Sequence, residues 1–235
     1  MNLGMIDNSL IHGINFATLL LFSLNWDIRF RIFLGDQVSS LPMRFHFGAV
    51  PSSPDFEPDV SWKSLREPSP WLAQFIALPI GVFATALVGF LWFVITPLQK
   101  AMPTGTLSAF VLAFVGIVVV HELIHAAAHP KGGRSPHSIL GFWPSRVLFY
   151  AHFDGELTRN RFVAILLMPT LVISILPLLV ATIAQLSSGW LALISTSNVF
   201  AACVDLLGAG MVLFQIPATA TVRNQGWRTY WREKA

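Results

Sequence analysis

The chain of 235 residues is strongly apolar, with 54% hydrophobic residues, 11% charged residues and a mean hydropathy of +0.63. Soluble domains carry about 25% charged residues, so this composition excludes a single soluble domain and predicts a membrane protein in contact with the lipid bilayer. The net charge of +3 comes from basic residues that are spread along the chain. Nucleic acid is therefore not an expected partner, because it selects a clustered basic face.

The first 70 residues are predicted to form an extramembrane segment that ends in a linker. Apolar and polar residues alternate over 26–32 and again over 43–47, with turn-forming residues between them. This pattern is typical of a small β-hairpin. Prolines, serines and mixed charges over 51–70 indicate a connection into the first apolar helix.

Four apolar stretches are long enough to cross a bilayer, which requires about 20 residues per helix. They cover residues 71–98, 107–128, 162–186 and 190–216. The sequence therefore predicts an all-α polytopic membrane protein with four transmembrane helices in a domain at 71–216. A basic tail at 217–235 follows this domain.

The distribution of basic residues predicts the orientation of these helices. With four spans, every lysine and arginine except Lys100 falls on one side of the membrane. The positive-inside rule makes that side cytoplasmic. We therefore expect a multi-pass protein of the cell membrane with both termini in the cytoplasm.

The second apolar stretch contains the sequence His121-Glu122-Leu123-Ile124-His125. Two histidines four residues apart lie on one face of a helix, where both imidazoles can reach one metal ion. Glu122 projects about 100° around the helix, beside the metal, where it can exchange a proton with a metal-activated water. This spacing is that of zinc-dependent peptidases, so Zn²⁺ is the predicted cofactor and Glu122 the predicted general base.

A hydrolytic zinc site takes three protein ligands, so a third ligand is expected. Asp205 is the favoured candidate because it is the only acidic residue of the fourth apolar stretch, and Asn198 lies two helical turns before it on the same face. His129 is two turns beyond His121, about 12 Å along the axis, which is too far on a straight helix. The other candidates lie in the polar connection after the second stretch, where charges facing Arg159 and Arg161 are the expected environment: His137, His152, Asp154 and Glu156.

The region 71–216 resembles the zincin peptidase family of small bacterial membrane proteins. The resemblance depends on the His121 to His125 motif, on the Met168-Pro169 segment and on Asn198 followed by Asp205. The layout is also similar to that of site-2 intramembrane proteases. It implies a membrane metalloprotease with His121, His125 and Asp205 as ligands and Glu122 as catalyst, acting on a membrane-associated protein or peptide.

Two other functions fit parts of the same sequence. A di-iron oxygenase also uses a pair of histidines four residues apart, but it needs several more clustered histidines than this chain offers. A non-catalytic membrane protein could keep a structural or regulatory metal site or polar cluster. A closed, four-ligand site would favour that alternative, whereas an open coordination position would favour catalysis.

Overall fold

The computed structural model describes residues 43–95 and 102–233. The predicted strand at 26–32 and the predicted end of the first span at 96–98 lie outside these residues. The helices that match the four apolar stretches are α1 (Pro70–Ile95), α2 (Leu107–Ala128), α3 (Arg159–Pro169) with α4 (Leu176–Ala184), and α5 (Gly189–Ala201) with α6 (Cys203–Gln215).

Three helical segments are long and apolar enough to cross a membrane. These are α1, α2 and the continuous segment Arg159–Ala184 that contains α3 and α4. Helices α5 and α6 are long and apolar enough to cross a membrane only when they are taken together, and the axis of the pair bends by 52° at the break. The described residues therefore contain three candidate spans, or four if the bent pair counts as one.

The break between α5 and α6 lies at Ala202, where α1 approaches closely. Ala202 has a ψ of 7°, and its amide still donates to the carbonyl of Asn198. Gly81 of α1 packs here, since a Cβ at this position would lie 2.9 Å from the Cβ of Cys203. The absence of a side chain at Gly81 thus lets α1 contact both halves of the bent pair.

The third apolar segment contains a π-helical turn, Thr170–Ile175, between α3 and α4. The amide of Leu176 donates to the carbonyl of Leu171, five residues earlier. Pro177 follows in the first turn of α4, where its missing N–H is tolerated. Pro169 and Pro177 therefore flank an irregular turn, and such turns often occur at functional sites.

In the described part of the chain, two small sheets lie at the ends of the apolar helices, and of their strands the sequence predicted only the one at 43–47. One sheet has the order β1–β3–β4 and the other the order β2–β7–β6–β5. Their strands are β1 (Arg44–Phe47), β2 (Lys63–Ser64), β3 (Ser138–Trp143), β4 (Leu148–Phe153), β5 (Leu157–Thr158), β6 (Thr221–Gln225) and β7 (Arg228–Arg232). The predicted strand at 43–47 is confirmed as β1, but it pairs in parallel with β3 of the connection after α2.

The basic tail is a β-hairpin and not an isolated solvated end. β7 pairs with β2 of the linker before α1, and β6 pairs with β5 before α3. Segments before α1, before α3 and after α6 therefore form one sheet. A buried cluster beneath it contains Leu65, Val163, Ala209, Val212, Ile216, Ala220 and Val222.

The connection after α2 is likewise folded, and its charges pair differently from the expectation. Glu156 contacts Arg232 of β7 at 2.9 Å. Asp154 lies 3.6 Å from Arg223 and 3.7 Å from Arg44. These acidic residues thus face arginines of β1 and of the tail, instead of Arg159 and Arg161.

Candidate metal centre

Helix α2 places two buried imidazoles side by side near its carboxyl end. His121 and His125 are each 5% exposed. Their Nε2 atoms lie 3.1 Å apart, as residues four apart on one helix face allow. The predicted histidine pair thus points both Nε2 atoms at one location.

Helix α6 adds a carboxylate at the same location. Oδ2 of Asp205 lies 3.0 Å from Nε2 of His121 and 3.4 Å from Nε2 of His125. Within the described part of the chain, these three residues form the group that could hold a metal ion. The structure therefore brings together the three residues that the sequence singles out as ligands.

The side chain of Asn198 fixes the protonation of His121. The Nδ2 of Asn198 donates to the carbonyl of Pro169 at 3.1 Å and to Oγ of Ser174 at 2.9 Å. Its Oδ1 therefore faces Nδ1 of His121 at 2.9 Å and accepts a hydrogen bond from it. A neutral His121 consequently carries its proton on Nδ1 and a lone pair on Nε2.

The same argument applies to His125. Its Nδ1 lies 2.8 Å from the carbonyl oxygen of Ile165, which can only accept a hydrogen bond. A neutral His125 therefore also carries its lone pair on Nε2.

The Nε2 lone pairs of His121 and His125 thus converge with the Asp205 carboxylate. These three acceptors repel one another unless a cation lies between them. Ligands bonded to zinc at about 2.0–2.1 Å in a tetrahedron lie about 3.3 Å apart, close to the separations of 3.0, 3.1 and 3.4 Å.

Two serines that the sequence analysis missed hold Asn198 in place. Ser174 Oγ donates to the carbonyl of Ser195, and Ser195 Oγ donates to the carbonyl of Ser174, both at 2.8 Å. This reciprocal pair joins the π-helical turn to α5 and leaves Ser174 Oγ free to accept from Asn198. Both serines are fully buried. Isolated serines in apolar stretches are the sequence signal that could have revealed them.

Glu122 lies beside this group without being part of it. The backbone amide of Ala151 in β4 hydrogen-bonds its carboxylate. Its Oε2 is buried and has no hydrogen-bond partner among the described residues. One carboxylate oxygen is thus available next to the site, as the position of Glu122 in the motif predicts.

A cavity of about 450 Å³ opens onto the site. Its lining includes the three grouped residues, Glu122 and all six residues of β4. Most of the remaining lining is apolar and comes from α3, α6 and the four-stranded sheet. The cavity therefore offers an apolar space bounded on one side by a strand.

The other histidines of this region lie outside the metal group. Nδ1 of His129 is 3.2 Å from Oγ of Ser138, and the ring of His137 lies against Phe153. Burial lowers the pKa of His129 and of His152 to about 4, so both imidazoles are neutral near pH 7. The structure thus does not place His129, His137 or His152 with the three converging ligand atoms.

Comparison with known proteins gives one family match. The model of a family described as "Putative zincin peptidase" matches residues 114–221, slightly less than half of the chain. The matched segment contains the His121 to His125 motif, Asn198 and Asp205, and it confirms the resemblance predicted from these residues. No curated protein and no solved structure matches the chain.

Proposed function

We propose, from the match of residues 114–221 to the model of a family described as "Putative zincin peptidase", that the protein is a membrane-embedded zinc metallopeptidase that hydrolyses peptide bonds. The observation that carries this proposal is the convergence of two imidazole lone pairs and one carboxylate oxygen at a single point. Nδ1 of His121 hydrogen-bonds Asn198 and Nδ1 of His125 hydrogen-bonds Ile165, so Nε2 is the atom of each ring that remains available to a metal ion.

In this proposal His121, His125 and Asp205 hold Zn²⁺. When bound, zinc polarises the scissile carbonyl and lowers the pKa of water at the site toward about 7. The hydrogen bonds to Nδ1 of both histidines orient the rings and increase the basicity of Nε2. Three protein ligands leave a fourth position for water or substrate, the arrangement of hydrolytic rather than structural zinc sites.

Glu122 is the proposed general base. Its unpartnered Oε2 accepts a proton from the attacking water while the water oxygen bonds to the scissile carbonyl carbon. Glu122 then delivers the proton to the departing amide nitrogen as the carbon–nitrogen bond breaks. The hydrogen bond from the Ala151 amide holds the rest of the carboxylate in place for both transfers.

Strand β4 is the proposed platform for the peptide. It pairs with β3 on one edge and has no second neighbouring strand among the described strands. All six of its residues line the cavity, and its Ala151 amide reaches Glu122. An extended peptide added along this edge would lie beside the metal centre, with its backbone hydrogen-bonded to the strand.

We place the protein in the cell membrane with both termini in the cytoplasm. Both sheets are built from segments that flank the same ends of the apolar helices, namely the start of α1, the end of α2, the start of α3 and the end of α6. These segments also carry the excess of basic residues that marks a cytoplasmic side. Because α2 ends at Ala128, three residues after His125, the site lies near that surface and suits membrane-associated substrates.

The test is cleavage of a peptide library derived from a whole proteome, with products identified by mass spectrometry. Zinc-loaded wild type should create new amino termini that are absent with Glu122→Gln, a change that keeps the shape of the side chain but removes the base. Equal cleavage by both forms would rule out Glu122 as the general base, and no cleavage by zinc-loaded wild type would favour the non-catalytic alternative.

A further inference from the structure

The turn between β3 and β4, residues 144–147, lies against the first turns of α1. The carbonyl of Arg146 accepts a hydrogen bond from Nε2 of Gln74 at 3.1 Å. The guanidinium of Arg146 also lies over the ring of Trp71, 5.3 Å from its centroid. The turn is thus at the level of residues 71–74 of a candidate membrane span.

This level corresponds to the edge of the bilayer. Helix α1 has 26 residues and is therefore about 39 Å long, whereas a hydrocarbon core is about 30 Å thick. Its first turns consequently reach the headgroup region when the rest of the helix spans the core. Trp71 is the kind of residue that is enriched at this boundary.

The turn presents apolar side chains to its surroundings. Val147 is 76% exposed and Phe149 is exposed on the same hairpin, and both residues also belong to the lining of the cavity. Trp71, Leu72 and Phe75 of α1 are exposed at the same level. The hairpin therefore continues the exposed apolar surface of the neighbouring helix.

The backbone of Val147 makes its identity unusual. Its φ of 48° lies in the left-handed region, which disfavours β-branched residues and favours glycine or asparagine. An exposed valine gains nothing in water that would offset this strain. Contact with lipid supplies a reason for an apolar side chain at this position.

Three of the four carbonyl groups of the turn have partners within the protein. Pro144 accepts from the amide of Val147, Ser145 from the guanidinium of Arg146, and Arg146 from Gln74. Pro144 has no N–H to satisfy. The guanidinium of Arg146 is covered by the rings of Trp71 and Trp143, an arrangement that suits a cation at a membrane boundary.

We propose that the tip of the β3–β4 hairpin, residues 144–149, inserts into the headgroup region of the bilayer and contacts lipid. The apolar tip, its continuity with α1 and its internally bonded carbonyls support this assignment. Since β4 also lines the cavity of the proposed peptidase site, the insertion positions one wall of that cavity at the membrane surface. The inference depends on the membrane placement of α1 but not on peptidase activity.

The test measures the depth of a spin label at Val147→Cys in a Cys203→Ala background. The protein is reconstituted into vesicles of phosphatidylcholine and phosphatidylglycerol. Collision of the label with oxygen, which concentrates in lipid, is compared with collision with a water-soluble nickel chelate. Val60→Cys in the fully exposed linker is the aqueous control, and Leu87→Cys in the middle of α1 is the lipid control.

We expect the ratio of oxygen to nickel collisions at Val147 to exceed that at Val60 several-fold, and Phe149→Cys to behave in the same way. Ratios at both hairpin positions equal to that at Val60 would overturn the inference while leaving the proposed function untouched. A ratio at Leu87 as low as that at Val60 would overturn the membrane placement as well.

Discussion

Oδ1 of Asn198 lies 2.9 Å from Nδ1 of His121. Because both protons of the Asn198 amide are donated elsewhere, to Pro169 and Ser174, this oxygen can only accept from the imidazole. The bent α5–α6 pair thus contributes twice to the candidate metal centre, through Asp205 as a neighbour of Nε2 and through Asn198 as the partner of Nδ1. Helix α2 and the bent pair must be correctly packed for the site to exist.

Replacement of Asn198 should weaken metal binding without removing a ligand. Asn198→Ala leaves Nδ1 of His121 unpaired, and loss of such a partner typically reduces metal affinity about 10–100-fold. Competition for zinc with a chromophoric chelator measures this change. Thr196→Ala, on the same helix, removes a hydroxyl that donates within the helix and should bind zinc as wild type does. Wild-type affinity in folded Asn198→Ala would contradict the account.

The reciprocal serine pair should stabilise the packing of α5 against the π-helical turn. Ser195→Ala removes the donor to the Ser174 carbonyl, and interhelical hydrogen bonds of this kind contribute about 0.6–1.7 kcal/mol in membrane proteins. The free energy of unfolding of Ser195→Ala, measured in denaturing detergent, should be lower than that of wild type by about this amount. Thr182→Ala, whose hydroxyl bonds within its own helix, is the matched control. An equal loss in both variants would assign no special role to the pair.

Gly141 should be intolerant of substitution, because a Cβ at this position would overlap the ring of Tyr150 on the paired strand. Gly141→Ala should destabilise the β3–β4 hairpin by about 1–3 kcal/mol, the usual range for overpacking. Gly116→Ala in α2 meets no atom within 4 Å and should leave stability unchanged or raise it, since alanine favours helix. Thermal unfolding should therefore give a lower melting temperature for Gly141→Ala than for Gly116→Ala. Similar melting temperatures would contradict the packing of Gly141 against Tyr150.

Glu67 should make stability depend on pH. Burial raises the pKa of its carboxyl from 4.5 to about 7, although Thr229 donates two hydrogen bonds to it. The folded state therefore binds the proton of Glu67 more tightly than the unfolded state does. Protonation of Glu67 thus contributes to the free energy of unfolding in full below about pH 4.5, and this contribution is lost as the pH rises through about 7. The melting temperature should fall more between pH 5 and pH 7 in wild type than in Glu67→Gln. The same pH dependence in both proteins would show that Glu67 is not its source.

The ligand group could be predicted from the sequence because its signals are local. The spacing of His121 and His125 fixes a shared helix face, and Asp205 is conspicuous as a lone carboxylate in an apolar stretch. The break at Ala202 has no comparable signal, because neither glycine nor proline marks it. It depends on how α1 packs at Gly81, which is a tertiary contact.

The two sheets could not be predicted because their pairings join distant segments. Lys63 pairs with Trp231, and Arg44 pairs with Ile139. The alternation at 43–47 indicated a strand in a hairpin with 26–32, whereas the parallel pairing of this strand with β3 has no local signal in the sequence. The aromatic and basic residues of Arg228–Arg232 fit both an interfacial tail and a strand, and only the pairing with β2 and β6 decides between the two.

The three-ligand site is tested most directly by the zinc content of purified protein, measured by elemental analysis for wild type, Glu122→Gln and Asp205→Ala. We expect about one zinc ion per chain in wild type and in Glu122→Gln, because Glu122 lies outside the converging ligand atoms. We expect loss of zinc in folded Asp205→Ala, since two imidazoles alone bind the ion far more weakly. Retention of a full zinc ion by Asp205→Ala, or its absence from zinc-loaded wild type, would contradict the three-ligand site.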